Sequence, residues 1–519
     1  MPRLALLHAR WLLFLMMGLE AVPLAAQQPA GDPIIPRGQF YFELHGSFQT
    51  VNDLYASDSD VPRPLGSGFF LPEIGTDQAP FLEPMETRFR ALTGEANAPG
   101  IQLGATRGRI YGEEQTAELT LSYGALDRLT LAVEVPLVRR RVDALVRHVP
   151  EGANLGTNPA GLDPTGVATF QAQSLASTNQ LRLAVDDHCE DLGEADAQCV
   201  QGRELLAEAD GFLGALDAAY AQEPLFPLVD TPLGTLVAAR WAAIRTGMGE
   251  WDTEGPEELP LATTPISDAG FRELVGGQPW PLDGFPFENT PSYLRLGDVD
   301  LQAALALLRP SGGFSDRGGI RVLSTLTGAV RLPTGQPDSL MAIVPLNPPR
   351  GVGGVRIGLH TDLLLSSRLA VSTEVEAGWS GSREMDLLAP DPDRVFHPGQ
   401  ARARVLWEPG GHLKLRIAPR VHIRNALSLG VGWQFLRSEA DRFEALDASD
   451  PSLPAPAGPE QLHQLLLEFR YTALQGSVAE AVRFPFEVLI RGSRTFSGSG
   501  DWAPIEQKVE AGVRFLLRR

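Results

Sequence analysis

Residues 116–138 carry the clearest hydrophobic pattern in the chain. Leu119, Leu121 and Tyr123 alternate with polar residues, and the alternation resumes from Leu129 after a short turn at residues 124–127. A period of two gives an extended chain one apolar and one polar face. Two such runs around a turn that contains glycine and aspartate predict a β-hairpin.

The same alternation recurs along the rest of the chain. It predicts further strands at residues 39–50, 293–307, 320–332, 355–363, 369–379, 401–424, 427–435, 463–471, 484–496 and 509–517. Residues 401–424 count as one crossing only if the Glu408-Pro409-Gly410-Gly411 stretch is a bulge, because the apolar residues keep their odd phase on both sides of it. If it is a turn, the count changes. With the bulge, the total is twelve strands.

The lengths of the connections alternate as well. The short connections are residues 124–127, 309–318, 366–368, 424–426 and 473–481, and the long ones are residues 51–115, 143–290, 334–353, 381–400, 444–461 and 497–506. Short turns at one end and long loops at the other are typical of outer-membrane barrels, whereas a soluble β-sandwich has no reason for this order. The prediction is an all-β fold, a transmembrane antiparallel up-and-down β-barrel of about twelve strands with a partly helical insertion.

The predicted strands and connections divide the chain into four segments. Residues 1–26 have the positive charge, the short apolar core and the small-residue cleavage site of a signal peptide. Residues 27–142 are predicted to contain the first barrel strands and an extracellular loop, and residues 291–519 the remaining strands. Between them, residues 143–290 form a partly helical inserted segment, in which Leu205, Leu206, Ala209, Phe212, Leu213 and Leu216 share one helical stripe.

The charge and the cysteines narrow the range of partners and sites. A net charge of -20 argues against nucleic acid as a partner, because phosphates would be repelled. After export, Cys189 and Cys199 enter an oxidising compartment, where a disulfide is expected. No histidine or cysteine lies nearby at the spacing of a zinc finger, so no metal site is predicted.

Candidate catalytic chemistry is sparse. No GxSxG, HExxH or phosphate-binding glycine loop is found in the sequence, so neither an enzyme nor a cofactor is predicted. The carboxylates Glu374 and Glu376 share one strand face, and a glycosidase could use such a pair. The favoured interpretation is a hydrated lumen surface, in which these two residues face Arg402, Arg404, Lys414 and Arg416 from neighbouring strands.

Three short motifs resemble a known family. The hairpin at residues 120–138, the sequence Leu296-Gly297-Asp298 and the sequence Val330-Arg331-Leu332-Pro333-Thr334-Gly335 resemble outer-membrane barrels named for the meta-pathway of phenol degradation. The resemblance covers residues 116–142 and 293–380. It implies a barrel in the outer membrane that passes small hydrophobic or aromatic molecules.

The predicted function is therefore passive transport of such solutes across the outer membrane of a Gram-negative-type bacterium. The alternative is an outer-membrane anchor or surface-interaction protein that carries the segment at residues 143–290. Expected partners are outer-membrane lipid and the barrel-assembly machinery. The last strand has Phe515 but continues to Arg518-Arg519, whereas barrels of this kind usually end on an aromatic residue.

Overall fold

The computed structural model describes residues 33–56, 59–276, 293–309, 320–335, 351–388, 402–424, 426–446, 459–473, 485–500 and 503–517. The signal peptide predicted at residues 1–26 lies outside these ranges. The strands are β1 (Phe40–Ala56), β2 (Ser59–Pro64), β3 (Ala105–Leu126), β4 (Leu129–Val149), β5 (Leu155–Thr157), β6 (Leu225–Pro227), β7 (Leu294–Leu296), β8 (Val299–Leu308), β9 (Arg321–Leu332), β10 (Gly354–Leu364), β11 (Leu369–Ser380), β12 (Arg383–Leu388), β13 (Arg402–Glu408), β14 (His412–Arg424), β15 (Leu427–Ser438), β16 (Arg442–Ala445), β17 (Glu460–Thr472), β18 (Phe486–Ser499) and β19 (Ala503–Leu517).

Twelve of these strands close into one antiparallel barrel. Its neighbours run β1, β3, β4, β8, β9, β10, β11, β14, β15, β17, β18 and β19. The first and last strands pair along their length, from Phe40 opposite Leu517 to Tyr55 opposite Ala503, which closes the ring. The predicted up-and-down barrel of twelve strands is confirmed, and both ends of the barrel sequence lie at the same rim.

The two faces of the wall carry opposite kinds of side chain. Large apolar residues point outward and are exposed, such as Leu467 at 64% and Val509 at 57%. Charged residues on the other face are buried, such as Asp362 at 2% and Glu468 at 4%. Because lipid supplies no hydrogen bonds, a closed sheet with an apolar outside and a polar inside is the architecture of an outer-membrane barrel.

The interpretation of residues 401–424 as one crossing with a bulge is wrong. The chain turns after Glu408, and β13 leaves the barrel to pair with β12 and β16 in a separate three-stranded sheet. Gly410 is needed in this turn, because a Cβ there would clash with the Glu439 carbonyl oxygen. Trp407 is buried in this small sheet and donates its indole N–H to Asp441 over 2.9 Å.

Strands β3 and β4 are 22 and 21 residues long, whereas a transmembrane strand needs about 9 to 11 residues. They form a two-stranded ribbon beyond the barrel, and residues 105–112 and 143–149, predicted as loop and insertion, belong to it.

A second correction concerns residues 497–506, predicted as a long connection: β18 ends at Ser499 and β19 begins at Ala503.

The helices are α1 (Glu83–Thr93), α2 (Pro159–Leu162), α3 (Pro164–Leu192), α4 (Ala197–Gln222), α5 (Pro232–Gly249) and α6 (Asp268–Gly276). They pack around one apolar core, called here the helical unit, to which α1 contributes from the loop that precedes β3. At its centre Trp241 lies 5.4 Å from the Phe170 ring and 5.8 Å from the Phe212 ring. The predicted stripe on α4 is confirmed, because Leu206, Ala209, Phe212 and Leu216 are buried there.

The helical unit is attached to the far end of the β3–β4 ribbon. The Asp268 carboxylate at the start of α6 accepts the backbone N–H of His148 over 2.8 Å, and the His148 ring stacks on Phe271. Cys189, near the end of α3, and Cys199, near the start of α4, form the predicted disulfide. Within the described ranges, every helix is either too short or too polar to be a transmembrane helix.

Candidate functional site: the charged lumen of the barrel

The predicted charges on β11 and β14 meet on the inner face of the wall. Glu374 lies opposite Arg416 and Glu376 opposite Lys414 in the strand register. Lys414 Nζ donates to Glu374 Oε1 over 2.7 Å, and Arg416 Nη1 lies 4.0 Å from Glu374 Oε2. Glu376 lies farther from its cations, with Oε1 3.9 Å from Arg356 Nη1. Four of the six predicted lumen residues therefore share one part of the inner wall.

Arg402 and Arg404 do not belong to this group. Both lie on β13, in the three-stranded sheet outside the barrel, where Arg404 Nη2 pairs with Glu384 Oε2 over 2.7 Å at an exposed position. The prediction that these two residues face the lumen is corrected by the turn after Glu408. A period of two identifies the face of a strand, but it does not tell which sheet the strand joins.

One carboxylate, Glu468 on β17, receives three arginines. Arg416 Nη2 lies 2.8 Å from its Oε2, Arg491 Nη2 lies 3.1 Å from the same oxygen, and Arg470 Nη2 lies 3.1 Å from Oε1. Arg491 also reaches Glu510 on β19, and Arg470 reaches Glu487 on β18. These side chains and the pairs around Glu374 form what we call the lumen charge network.

Several of these pairs span three strands. Arg416 on β14 and Glu468 on β17 meet across β15, where Gly430 stands opposite both Arg420 and Glu468 in the register. Arg420 on β14 reaches Asp362 on β10 over 2.9 Å, across Ser372 of β11, which bonds to both side chains. Small residues on the middle strand leave the room for these contacts on the concave face. The cross-links connect strands that are not neighbours in the sheet, and buried pairs of this kind are costly to break.

A second cluster lies in the region where the chain enters the barrel. Ile34 is buried against Ala304 and Ala306 of β8, and Ile35 against Tyr41 and Leu516. The backbone N–H of Ile35 donates to Thr130 Oγ1 over 2.8 Å. These contacts place the segment before β1 inside the barrel, at the end where the short turns lie.

The glycine and aspartate motifs of the resemblance meet at the opposite rim. The Asp298 carboxylate accepts the N–H of Gly335 over 2.8 Å and that of Gly351 over 2.9 Å, which joins the ends of β8, β9 and β10. A Cβ at Gly335 would lie 2.9 Å from Asp298 Oδ1, so glycine is needed there. Thr334 Oγ1 donates to the Gly297 carbonyl and accepts the Val299 N–H. The motif therefore has a structural role, because its hydrogen bonds join the ends of β8, β9 and β10.

A small cavity indents the inner wall beside the lumen charge network. It has a volume of about 40 Å³, and its lining includes Arg416, Arg420, Arg470, Glu374, Glu468 and His360. The Nε–H groups of Arg416 and Arg470 are buried and have no hydrogen-bond partner among the described residues.

Sequence reasoning did not select Asp362, Arg420, Glu468, Arg470 or Arg491. The sequence pattern does place each of them on a polar face, because each alternates in step with the other polar residues of its strand. What the sequence lacks is the register that brings them within reach of Glu374 and Arg416.

Cys189, Glu194 and Cys199 are the one group with metal-ligand spacing in the described part of the chain. Both sulfurs are taken up by the disulfide, so neither is available as a thiolate ligand.

Comparison with known proteins gives structural neighbours only. No protein-family model matches the chain, and no curated protein matches it. The solved structures it resembles include an outer membrane channel from Pseudomonas putida F1, with 10% identity, a TM-score of 0.40, and coverage of 95% of this chain and 100% of that one. The toluene transporter TodX of Pseudomonas putida has 10% identity, a TM-score of 0.23 and coverage of 92% and 89%. A FadL homologue from Pseudomonas aeruginosa has 10% identity, a TM-score of 0.25 and coverage of 92% and 90%. At these scores the likeness carries no argument, and the fold rests on the strand pairing of this chain.

Proposed function

We propose that this protein is an outer-membrane barrel that passes small solutes through its lumen without catalysis. The observation that carries the proposal is the inverted distribution of polarity, with exposed apolar side chains outside and buried charges inside. Such an interior can hold water and polar groups, whereas a dry apolar interior could only fill space. The hydrophobic or aromatic character of the solute rests on the resemblance of the three short motifs to the meta-pathway barrels.

The cluster around Ile34 supports a constriction at the rim with the short turns. Ile34 contacts the inward residues Ala304 and Ala306, so the segment before β1 narrows the route that a solute would take. Solute passage would then require this segment to move or a path beside it.

Liposome swelling tests the proposal directly. Vesicles that contain the full chain should swell faster than protein-free vesicles in arabinose and in an aromatic acid. Ala304→Trp adds bulk on the inward face beside Ile34 and should slow the swelling. Leu305→Trp, its neighbour on the outward face, is the matched control and should leave the rate unchanged. Heat-modifiable mobility on gels verifies that each variant forms a closed barrel.

Equal swelling of vesicles with and without the protein would refute passage and support the alternative, a membrane anchor for the helical unit. Two observations favour that alternative. The lumen charge network cross-links strands that are not neighbours, and the helical unit has a core of its own with Trp241, Phe212 and Phe89 fully buried. Within the described residues, no helix contributes a side chain to the lumen charge network, so entry of residues 143–290 into the lumen has no support in these contacts.

A further inference from the structure

The outward face of the barrel has an apolar slot over Gly492 on β18. In the register Gly492 stands between Leu467 of β17 and Val509 of β19, whose side chains are exposed and rise on either side of it. Together with Leu465 and Phe48 they border a slot of about 370 Å³. This is about twelve times the volume that one water molecule takes up in the liquid, so the slot has room for part of a flexible apolar chain.

A second slot lies on the other side of the ridge that Phe48 and Val509 form. Its floor consists of small outward residues of three neighbouring strands, because Gly46 stands opposite both Ala511 and Ala117 in the register. This slot has a volume of about 810 Å³, and the same ridge lines both slots. Two apolar slots separated by one ridge match a lipid that has more than one acyl chain.

An arginine stands at the upper end of the first slot. Arg494 follows Gly492 by two positions on β18, so it points to the same outward face, and it is exposed. In the register Arg494 stands between Leu465 and Gln507, and Gln507 stands opposite Thr50. Polar groups therefore follow directly above the apolar slot.

The height of Arg494 in the wall places it near the outer surface of the membrane. It lies eight residues beyond Phe486, where β18 begins at the rim with the short turns. With a rise of about 3.3 Å per residue and a tilt of about 40°, this is about 20 Å above that rim, and the apolar band of such barrels is about 25 Å tall. Since the long loops are extracellular, Arg494 lies in the outer leaflet, where a long side chain can extend its charge to the lipid head groups.

Charge complementarity indicates the chemistry of the partner. Arg494 forms no ion pair with a carboxylate of the described residues, so the protein itself does not supply the anion for this lipid-facing cation. A guanidinium group binds phosphate through two parallel, charge-assisted hydrogen bonds. The slots below it offer apolar surface to acyl chains.

We propose that this face of the barrel binds one phosphorylated lipid of the outer leaflet, with its phosphate at Arg494 and its acyl chains in the two slots. The site lies on the outside of the barrel, so the inference goes beyond the passage of solutes and does not depend on it. It requires only that the barrel stands in the outer membrane.

The test is native mass spectrometry of the full chain in detergent, titrated with lipid A. We expect one saturable adduct, which is at least fivefold weaker in Arg494→Gln and in Gly492→Leu. A Cβ at Gly492 would meet no atom within 4 Å, so the leucine fills the slot without a clash in the wall. Heat-modifiable mobility verifies that the variants form closed barrels.

Two control variants change the outward face elsewhere. Arg437→Gln removes another exposed arginine, at the upper end of β15, and Ala377→Leu adds bulk on β11 beside the exposed Ile357. Neither residue lines the two slots, and both variants should bind lipid A as tightly as the unaltered protein. A loss in the controls equal to that in Arg494→Gln would overturn the inference.

A second arm tests the phosphate in the unaltered protein. Dioleoyl phosphatidate should displace lipid A, and dioleoylglycerol, which has the same acyl chains but no phosphate, should not. Absence of a saturable adduct, or equal displacement by dioleoylglycerol, would overturn the site. So would a dimer that forms without lipid and is lost in Gly492→Leu, because the slots would then seat a second copy of the chain. Vesicles that fail to swell would refute passage but leave the lipid site intact.

Discussion

The helical unit and the barrel bury different kinds of side chain. In the helical unit the fully buried residues include Trp241, Phe212 and Phe271, while charged residues such as Glu204 and Asp210 are exposed, as are Leu175 and Leu183. In the barrel the residues buried to the same degree include Asp362, Arg420 and Glu468, while leucines and valines are exposed. The difference shows which solvent each part of the chain is built for, water around the helices and lipid around the strands.

The largest effect is expected in the core of the helical unit. Trp241→Ala removes a side chain that is 1% exposed, stacks on Phe212 and meets Phe170 edge to face, which should lower the free energy of unfolding by up to about 5 kcal/mol. The helical circular dichroism signal should melt earlier while the barrel keeps its heat-modifiable mobility. Leu183→Ala, at a position 71% exposed, is the control and should change little. Simultaneous loss of the barrel would contradict the separation of the two regions.

A slightly smaller effect is expected for a charge inside the barrel. Glu468→Gln keeps the shape but leaves three arginines without their shared carboxylate, which should cost about 3 to 4 kcal/mol of unfolding free energy. Glu384→Gln removes an exposed partner of Arg404 and should cost less than about 1 kcal/mol. Guanidinium unfolding in lipid vesicles measures both. Equal losses of unfolding free energy in the two variants would mean that Glu468 in the lumen is as accessible to water as Glu384 on the surface.

The outward face gives the sharpest contrast between the regions. Val431 is 53% exposed in the middle of β15, and Val431→Arg should destabilise the barrel by about 2 to 3 kcal/mol, because an arginine near the bilayer midplane has to leave water. Leu183→Arg, on the surface of α3, should stay within about 0.5 kcal/mol. The same vesicle unfolding experiment compares them. If the two substitutions have the same cost, the exposed valines of the barrel do not face lipid.

The smallest effect concerns pH and is confined to the helical unit. Asp196 caps α4 by accepting the N–H groups of Gln198 and Cys199, and a hydrogen bond from the His188 ring holds the pKa of its carboxyl below the usual value. Since the folded pKa is lower than the unfolded pKa of about 4, the stabilisation is present above that pH and is lost as the pH falls through the folded pKa.

Asp196→Asn is the matching variant, because it keeps a capping oxygen but carries no charge. The melting temperature of the wild type should exceed that of the variant near neutral pH, and the gap should close below about pH 4. A gap that is constant with pH would show that the charge on Asp196 does not contribute.

Local patterns were sufficient to predict most of the strands. The odd phase of Leu119, Leu121 and Val133 predicts the outward face, and the exposure of these residues agrees with it. The same reasoning assigned residues 402–408 to the wall, because alternation looks the same in the barrel and in a small soluble sheet. Only the pairing of β13 with β12 and β16 shows the difference.

The site was harder to predict than the fold. Glu374, Lys414 and Arg416 lie on neighbouring strands, so their meeting follows from strand order. Arg416 and Glu468 are separated by the whole strand β15, on which Gln434 stands opposite Arg416 and Gly430 opposite Glu468. Such contacts depend on register and curvature, which a period of two does not contain.

The most direct test of the inverted barrel is the lipid exposure of successive residues on β17. Single cysteines at Gln464, Leu465, Leu466 and Leu467 can be labelled with a fluorophore in the full chain, since Cys189 and Cys199 are bonded to each other. In vesicles with nitroxide-bearing lipids, the labels at Leu465 and Leu467 should be quenched strongly and those at Gln464 and Leu466 weakly. Quenching that does not alternate, or that is strongest at Gln464 and Leu466, would contradict the account.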